Sequence, residues 1–150
     1  IATYTTTATN NKGRNQNLKL ATQAINGTIV NPGQEFSFNE TTGPRSTEKG
    51  YQPASAYLNG EVVQEPGGGV CQVSSTLYNA VVFAGLKSTE RHAHSYEPSY
   101  VTPGEDAAVS YGDQISSLSI IRITRLLLKL VFQTRKLPVL YMVFLFWRRA

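Results

Sequence analysis

Cysteine and histidine are scarce in this chain, which has one Cys and two His among 150 residues. A single cysteine excludes an internal disulfide framework and a Cys-rich zinc cluster, so we predict no metal centre and no cofactor. Cys71 is therefore either a small buried residue or a reactive thiol. The length gives room for one domain with a substantial core.

The last 37 residues lack both acidic residues and glycine. Residues 114–150 hold seven of the 14 basic residues, whereas residues 1–113 hold all ten acidic residues and all 12 glycines. This break predicts a boundary at residue 113. A nucleic-acid or membrane-surface function would rest on the basic tail alone, and we expect no nucleic-acid partner. The longest uncharged run of this tail, Leu137–Trp147, has 11 residues, short of the roughly 20 that a membrane helix needs.

Apolar periodicity predicts two main helices. The first carries Leu18, Ala21 and Ile25 on one face, and Gly27 ends it. The second carries Val73, Leu77, Val81 and Ala84 at helical spacing, and Gly85 ends it.

Strand-like runs predict two hairpins. One joins residues 28–30 to 35–38, and the other joins 54–58 to 61–64 through Asn59-Gly60, a strong turn signal. Residues 39–49 form a polar loop, and residues 88–96 and 106–111 are predicted to be extended. The fold class is therefore α+β with a mostly antiparallel sheet, in which the second helix carries Cys71 at its N-terminus.

Three glycines, Gly67 to Gly69, precede Cys71 at the start of the second helix. Glycines allow a backbone to approach a ligand closely. The unpaired N–H groups and the dipole at a helix N-terminus stabilise a thiolate. This placement is typical of a nucleophile.

A nucleophilic thiolate needs a base, and only His92 and His94 are available. Residues two apart share a face of an extended segment, so both are candidates. Asp106, on the next predicted strand, is placed to orient an imidazole or else is a turn residue. The chain order Cys, His, Asp occurs in papain-like and transglutaminase-like sites, which transfer acyl groups through a thioester.

Four further residues are candidates for binding the substrate or the oxyanion. They are Gly68, Gly69, Gln72, whose side-chain amide is a donor, and Arg91. Arg91 also has a structural interpretation, because it is adjacent to Glu90 and is expected to be solvated or salt-bridged.

Several motifs along residues 10–113 resemble the VanW family, which takes its name from vancomycin-resistance gene clusters. The resemblance is carried by Phe36-Ser37-Phe38-Asn39, Thr42-Gly43-Pro44-Arg45, Gly50-Tyr51, Gly67 through Asn79, Glu90-Arg91, His94-Ser95 and Asp106-Ala107. It implies an extracytoplasmic domain of the cell envelope, often of Gram-positive bacteria, with a membrane tether outside this fragment. The family's characteristic histidine precedes a serine, which favours His94 over His92.

The tail departs from the family pattern, which implies further strands and an Asn-rich turn after Asp113. Codons can be chosen for residues 113–150 so that another reading frame encodes DFKFINNTDYPLIIKA, which continues that pattern. We therefore predict a frameshift near Asp113, an unpaired sheet edge and an aggregation-prone chain. Coding DNA that encodes nothing similar in its other two frames would contradict the frameshift.

Two functions follow from these residues. The first is a cysteine-dependent amidase or transpeptidase-like acyltransferase that acts on peptidoglycan peptides. The alternative is a non-catalytic module that binds peptidoglycan or its precursors, with Cys71 as a structural residue.

Overall fold

The computed structural model describes residues 2–31, 33–58 and 60–112, together with backbone strands at 119–121, 126–135 and 137–146. The helices described are α1 (Lys12–Ile25), α2 (Phe38–Thr42) and α3 (Cys71–Phe83), and a 3₁₀ turn spans Thr47–Lys49. The strands described are β1 (Ala2–Thr7), β2 (Ile29–Val30), β3 (Glu35–Ser37), β4 (Pro53–Leu58), β5 (Glu61–Pro66), β6 (Lys87–Glu90), β7 (Ser119–Ile121), β8 (Leu126–Arg135) and β9 (Leu137–Phe146).

Every strand pair in the described residues is antiparallel. One sheet has the order β1-β9-β8-β2, a second has the order β3-β7-β6, and β4 pairs with β5 as a two-stranded ribbon. The predicted α+β class is therefore confirmed. No helix in this part of the chain has the length and apolar character needed to cross a membrane.

Both main helices form at the predicted positions. α1 begins at Lys12 because the Asn11 side chain accepts a hydrogen bond from the Arg14 backbone N–H at 2.8 Å. Its predicted apolar face, Leu18, Ala21 and Ile25, is fully buried. Val73, Leu77 and Val81 of α3 are fully buried in the same core. Burial of each such leucine or isoleucine contributes about 1.5–3 kcal/mol.

One of the two predicted hairpins is wrong. A tight turn does form, since the Gln34 N–H donates to the Asn31 carbonyl at 3.0 Å. However, β2 pairs with β8 and β3 pairs with β7, so the two strands enter different sheets. Each strand finds a partner that lies far along the chain, and turn residues alone do not reveal such a partner. The hairpin of β4 and β5 is confirmed, although Asn59 lies outside the described residues.

Two other segments differ from prediction. The expected loop at 39–49 contains most of α2 and the 3₁₀ turn. The Ser37 side chain accepts from the Glu40 N–H and so caps α2. The expected strands at 88–96 and 106–111 are mostly irregular: β6 ends at Glu90, and a single bridge joins His92 to Ala108.

The backbone of the tail pairs with strands of the first 113 residues. β9 lies beside β1, β8 beside β2, and β7 between β3 and β6. The described strands of the tail thus lie within the two larger sheets. The frameshift near Asp113 is a statement about the coding DNA, and it stays a prediction.

Candidate functional site

The glycine loop brings Cys71 to the floor of a cleft. Gly67 and Gly69 adopt positive φ angles of 87° and 94°, a region that glycine enters readily. A Cβ atom at Gly68 would lie 2.1 Å from the Ala54 carbonyl oxygen, because the loop runs directly over β4. The next turn of chain begins α3, so Cys71 occupies the first helical position.

The same loop leaves room for two arginine side chains. A Cβ atom at Gly67 would lie 2.5 Å from the Cβ of Arg45, and one at Gly69 would lie 2.6 Å from the Cγ of Arg14. Both arginines line the cleft. The sequence analysis missed them, although Arg45 belongs to a motif that carries the family resemblance.

The sulfur of Cys71 is partly exposed and lies against the backbone of Val109. The thiol donates to the Val109 carbonyl at 3.3 Å, and the Val109 N–H lies 3.4 Å from the sulfur. The backbone N–H of Cys71 has no hydrogen-bond acceptor in the described part of the chain, as expected in a first helical turn. It is therefore available to a ligand oxygen.

His94 connects Cys71 to Asp106. Its Nδ1 donates to Oδ2 of Asp106 at 2.5 Å, and its backbone N–H donates to the same oxygen at 2.6 Å. Burial lowers the pKa of His94, but a hydrogen bond and charge interaction with Cys71, followed by those with Asp106, outweigh burial and raise it. The structure therefore brings together the three residues that the sequence analysis singled out as a nucleophile, a base and an orienting acid.

Asp106 is buried and remains ionised. Burial raises the pKa of its carboxyl, yet the hydrogen bonds from the backbone and ring of His94 lower it overall. The side chain of Asp106 is 6% exposed and that of His94 is 10% exposed. A buried carboxylate on Nδ1 fixes the ring orientation and leaves Nε2 for Cys71.

Arg91 supports Asp106 and does not line the cleft. Its Nε donates to the Asp106 carbonyl at 2.7 Å, and its Nη2 donates to the Gly104 carbonyl at 2.7 Å. Nη2 also lies 3.4 Å from Oδ1 of Asp106. The expectation that Arg91 binds substrate is therefore corrected: its donors are used within the fold, and it is a positioning residue.

His92 lies outside the cleft, contrary to the expectation that both histidines share a face. Its Nε2 lies 3.0 Å from Glu90 Oε1, and its side chain is 44% exposed. The chain is irregular after β6, so the alternation of a regular strand does not hold there.

Gln72 is also corrected as an oxyanion donor. Its side chain is buried, and its Nε2 donates to the Thr6 hydroxyl and to the Thr7 carbonyl, both at 3.0 Å. These bonds attach α3 to β1. Of the predicted substrate-binding residues, Gly68, Gly69 and Gln72 line the cleft, although the side-chain N–H groups of Gln72 are already bonded to β1.

A row of polar residues on α3 holds the segment that carries Asp106. Ser74 donates to the Ala107 carbonyl at 2.6 Å, Ser75 accepts from the Ala107 N–H at 2.9 Å, and Asn79 donates to the Glu105 carbonyl at 2.8 Å. With Cys71, these residues form one face of the helix. Their spacing along one face of α3 is the sequence signal from which this role could have been predicted.

Asn17 of α1 holds the glycine loop in place through a hydrogen bond to Gly68, and it was not predicted from the sequence. The side chain is fully buried. Its Oδ1 accepts from the Gln52 N–H at 2.7 Å, and its Nδ2 donates to the carbonyls of Gln52 and Gly68 at 2.8 and 3.0 Å. One side chain thus aligns α1, the entry to β4 and the loop before Cys71.

The cleft has a volume of about 790 Å³ and aromatic walls. The ring centroids of Tyr57 and Tyr96 lie 3.7 Å apart, and the ring centroids of Tyr96 and His94 lie 5.5 Å apart. Burial, helped by the nearby Tyr57, raises the pKa of Tyr96 to about 12, so its hydroxyl stays neutral. Tyr100 and Tyr111 complete the aromatic lining. Among the described residues, no group of three His, Cys, Asp or Glu side chains is placed to hold a metal.

Comparisons with known proteins agree with the motif resemblance. The family model described as VanW like protein matches residues 13–137, a match that runs past residue 113. The uncharacterised protein YoaR of Bacillus subtilis is 47% identical over 102 residues, which is 68% of this chain and 34% of YoaR.

A second relative is the vancomycin B-type resistance protein VanW of Enterococcus faecalis. It is 33% identical over 101 residues, which is 64% of this chain and 37% of the relative. The chain thus spans little more than a third of the length of either relative. No solved structure matches it.

Proposed function

Since this chain belongs to the VanW family, we propose that it is a cysteine-dependent acyltransferase acting on peptidoglycan peptides in the bacterial cell envelope. The observation that carries this proposal is that Cys71 and His94 line one cleft, with Nδ1 of His94 hydrogen-bonded to the buried carboxylate of Asp106. The name of the Enterococcus relative connects the family with vancomycin resistance. Peptidoglycan peptides, the substrates predicted from the sequence, supply amide bonds that a thiolate can attack.

In the first half-reaction, His94 Nε2 takes the thiol proton, and the thiolate of Cys71 attacks the carbonyl carbon of an amide. The tetrahedral oxyanion accepts a hydrogen bond from the free N–H of Cys71. When the C–N bond breaks, His94 gives the proton to the departing nitrogen, and a thioester on Cys71 remains.

In the second half-reaction, water or an amine attacks the thioester carbonyl. His94 removes a proton from the attacking group, the C–S bond breaks, and the proton returns to the sulfur. Hydrolysis results from water and transpeptidation from an amine. Asp106 keeps its charge throughout and stabilises the imidazolium.

The non-catalytic binding module is the second candidate function, and one observation favours it. Both backbone groups of Val109 contact the sulfur of Cys71, an arrangement that also suits a structural thiol. In that case the aromatic cleft binds a ligand and no covalent step occurs.

Alkylation of Cys71 by iodoacetamide across a range of pH separates the two candidates. For the acyltransferase we expect fast alkylation near neutral pH and a fall of roughly 100-fold in His94→Ala, as expected for loss of a catalytic base. His92→Ala is the matched control, because this histidine lies outside the cleft. A thiol that reacts slowly and equally in all three proteins would favour the binding module.

A further inference from the structure

Arg14 and Arg45 are charged side chains without charged partners. Nη1 of each arginine is buried and has no hydrogen-bond partner. In the described part of the chain, neither guanidinium lies within 4.0 Å of a carboxylate oxygen. Nη2 of Arg45 donates to Asn39 Oδ1 at 2.6 Å, a neutral oxygen. The Arg45 guanidinium also lies over the rings of Phe38 and Tyr111, 5.6 Å from each centroid. Neither arginine thus has a carboxylate counterion among the described residues.

Such an arrangement destabilises the fold unless a ligand completes it. A buried donor without an acceptor carries a desolvation penalty, and a charged donor carries a larger one. Glu65 also lines the cleft, but it is exposed and forms no ion pair. Two positive groups without an internal counterion indicate an anionic ligand.

Both arginines line the same cleft as Cys71. Burial lowers the pKa of each arginine, and the charge of Cys71 acts on both in the opposite direction. Two arginine forks match the planar, bidentate geometry of a carboxylate. An anion held by them would lie in the cleft that Cys71 lines.

We propose that Arg14 and Arg45 form a carboxylate-binding subsite, so that the acyl donor carries a free carboxylate close to the amide under attack, as at the C-terminus of a peptide. This inference rests on the proposed acyl transfer and names its substrate class. The glycine loop is part of the subsite, because side chains at Gly67 and Gly69 would occupy the space of the two arginines. The covalent steps are those given above, and the departing amine takes its proton from His94.

A comparison of the rates at which two reagents alkylate Cys71 tests the subsite without requiring any substrate. Iodoacetate and iodoacetamide both form an S–C bond with loss of iodide, but only iodoacetate carries a carboxylate. At low ionic strength we expect the ratio of the iodoacetate rate to the iodoacetamide rate to exceed that of a cysteine in a neutral peptide by about tenfold.

Substitution of Arg14 and Arg45 shows whether these two residues cause the preference for iodoacetate. Arg14→Gln and Arg45→Gln should each lower the ratio, and the double variant should bring it to the value of the neutral peptide. Lys19→Gln removes one charge from an exposed position on α1 and should leave the ratio unchanged. If the arginines act only by stabilising the thiolate, both rates fall together, the ratio stays constant, and the proposal is overturned.

A measurement on the unaltered protein covers variants that fail to fold. A peptidoglycan peptide with a free C-terminal carboxylate should protect Cys71 from iodoacetamide at a concentration roughly tenfold lower than its C-terminal amide does. Equal protection by the two forms would overturn the subsite. If Cys71 prefers iodoacetate but the protein transfers no acyl group, the proposed reaction is wrong and the carboxylate subsite stands. If the protein transfers acyl groups but Cys71 shows no preference for iodoacetate, the reaction stands and the subsite is wrong.

Discussion

Two walls of the cleft meet at Cys71, and they differ in how their cationic side chains are paired. His94 forms part of one wall, and behind it Arg91 and His94 both contact Asp106, while Arg91 also bonds the carbonyls of residues 104 and 106. On the other wall, Arg14 and Arg45 each keep a buried N–H group without an acceptor. The cationic groups at the first wall have acceptors within the chain, whereas those at the second keep donors for which we propose a ligand.

This difference separates two functions of similar residues. Arginine, as a residue type, is equally suited to positioning a carboxylate of its own chain and to binding one from outside. What decides between them is whether its donors already have acceptors. Arg91 therefore supports the reacting residues, and Arg14 and Arg45 are assigned to the substrate.

Asp106→Asn removes the carboxylate that His94 and Arg91 contact, and it has the largest expected effect on the rate of acyl transfer. An amide at this position does not hold His94 in the tautomer and orientation that the reaction needs, so we expect acyl transfer to fall roughly 1000-fold. The rate of transfer from a peptidoglycan peptide measures this effect.

The matched control for this substitution is Glu105→Gln, since the residue is adjacent and its side chain forms no hydrogen bond or ion pair with the residues that the structure describes. Equal losses in the two variants would show that net charge matters and that the contact with His94 does not.

Gly68→Ala moves the loop between the two walls. The added methyl group would lie 2.1 Å from the Ala54 carbonyl, so the loop must shift, at a cost of about 2–3 kcal/mol in the free energy of unfolding. Gly27→Ala is the comparison, because its Cβ would meet nothing within 4 Å and only its φ of 81° is unfavourable. Urea unfolding measures the free energy of unfolding of both variants. A larger loss in Gly27→Ala than in Gly68→Ala would contradict the close approach of Gly68 to the Ala54 carbonyl.

The smallest expected effect is a change in the titration of His94. Burial lowers its pKa, but Cys71 and then Asp106 raise it overall, so Cys71→Ala should lower the midpoint. The ring protons of His94, followed by NMR with His92 as a reference outside the cleft, report this directly. A midpoint that rises in the variant would contradict the contact between Cys71 and His94.

The same shifts define how stability depends on pH. Because the pKa of His94 is raised in the folded state, its contribution is full below the unfolded value of 6.5 and is lost as the pH rises through the folded value. The pKa of Asp106 is lowered, so its contribution is present above 3.8 and is lost as the pH falls through its folded value. The pair therefore stabilises the fold most between these two limits.

Local patterns were predictable from the sequence, whereas distant pairings were not. The apolar faces of α1 and α3 follow from helical spacing, and the ribbon of β4 and β5 follows from its turn. Cys71, His94 and Asp106 were identifiable because one cysteine and two histidines leave few combinations. The chemistry expected of them stays a prediction.

Long-range contacts account for what the sequence did not reveal. The partners of β2 and β3 lie about 80 to 100 residues further along the chain, beyond the reach of any turn signal. The roles of Arg91, Arg14 and Arg45 depend on which acceptors tertiary packing brings to each guanidinium. That information is absent from the residue type and from its neighbours in sequence.

The two-stranded ribbon has a consequence for the evolution of ligand choice. In the described residues it pairs with no other strand, and residues along its length, from Glu65 near the base to Tyr57 near the turn, form part of the cleft. Residues inserted in pairs, one in each strand beside Gly60, lengthen this wall and keep the alternation of its faces. A single inserted residue reverses that alternation. The ribbon is thus a place where relatives can change length, and with it the size of ligand covered, without altering the surroundings of Cys71.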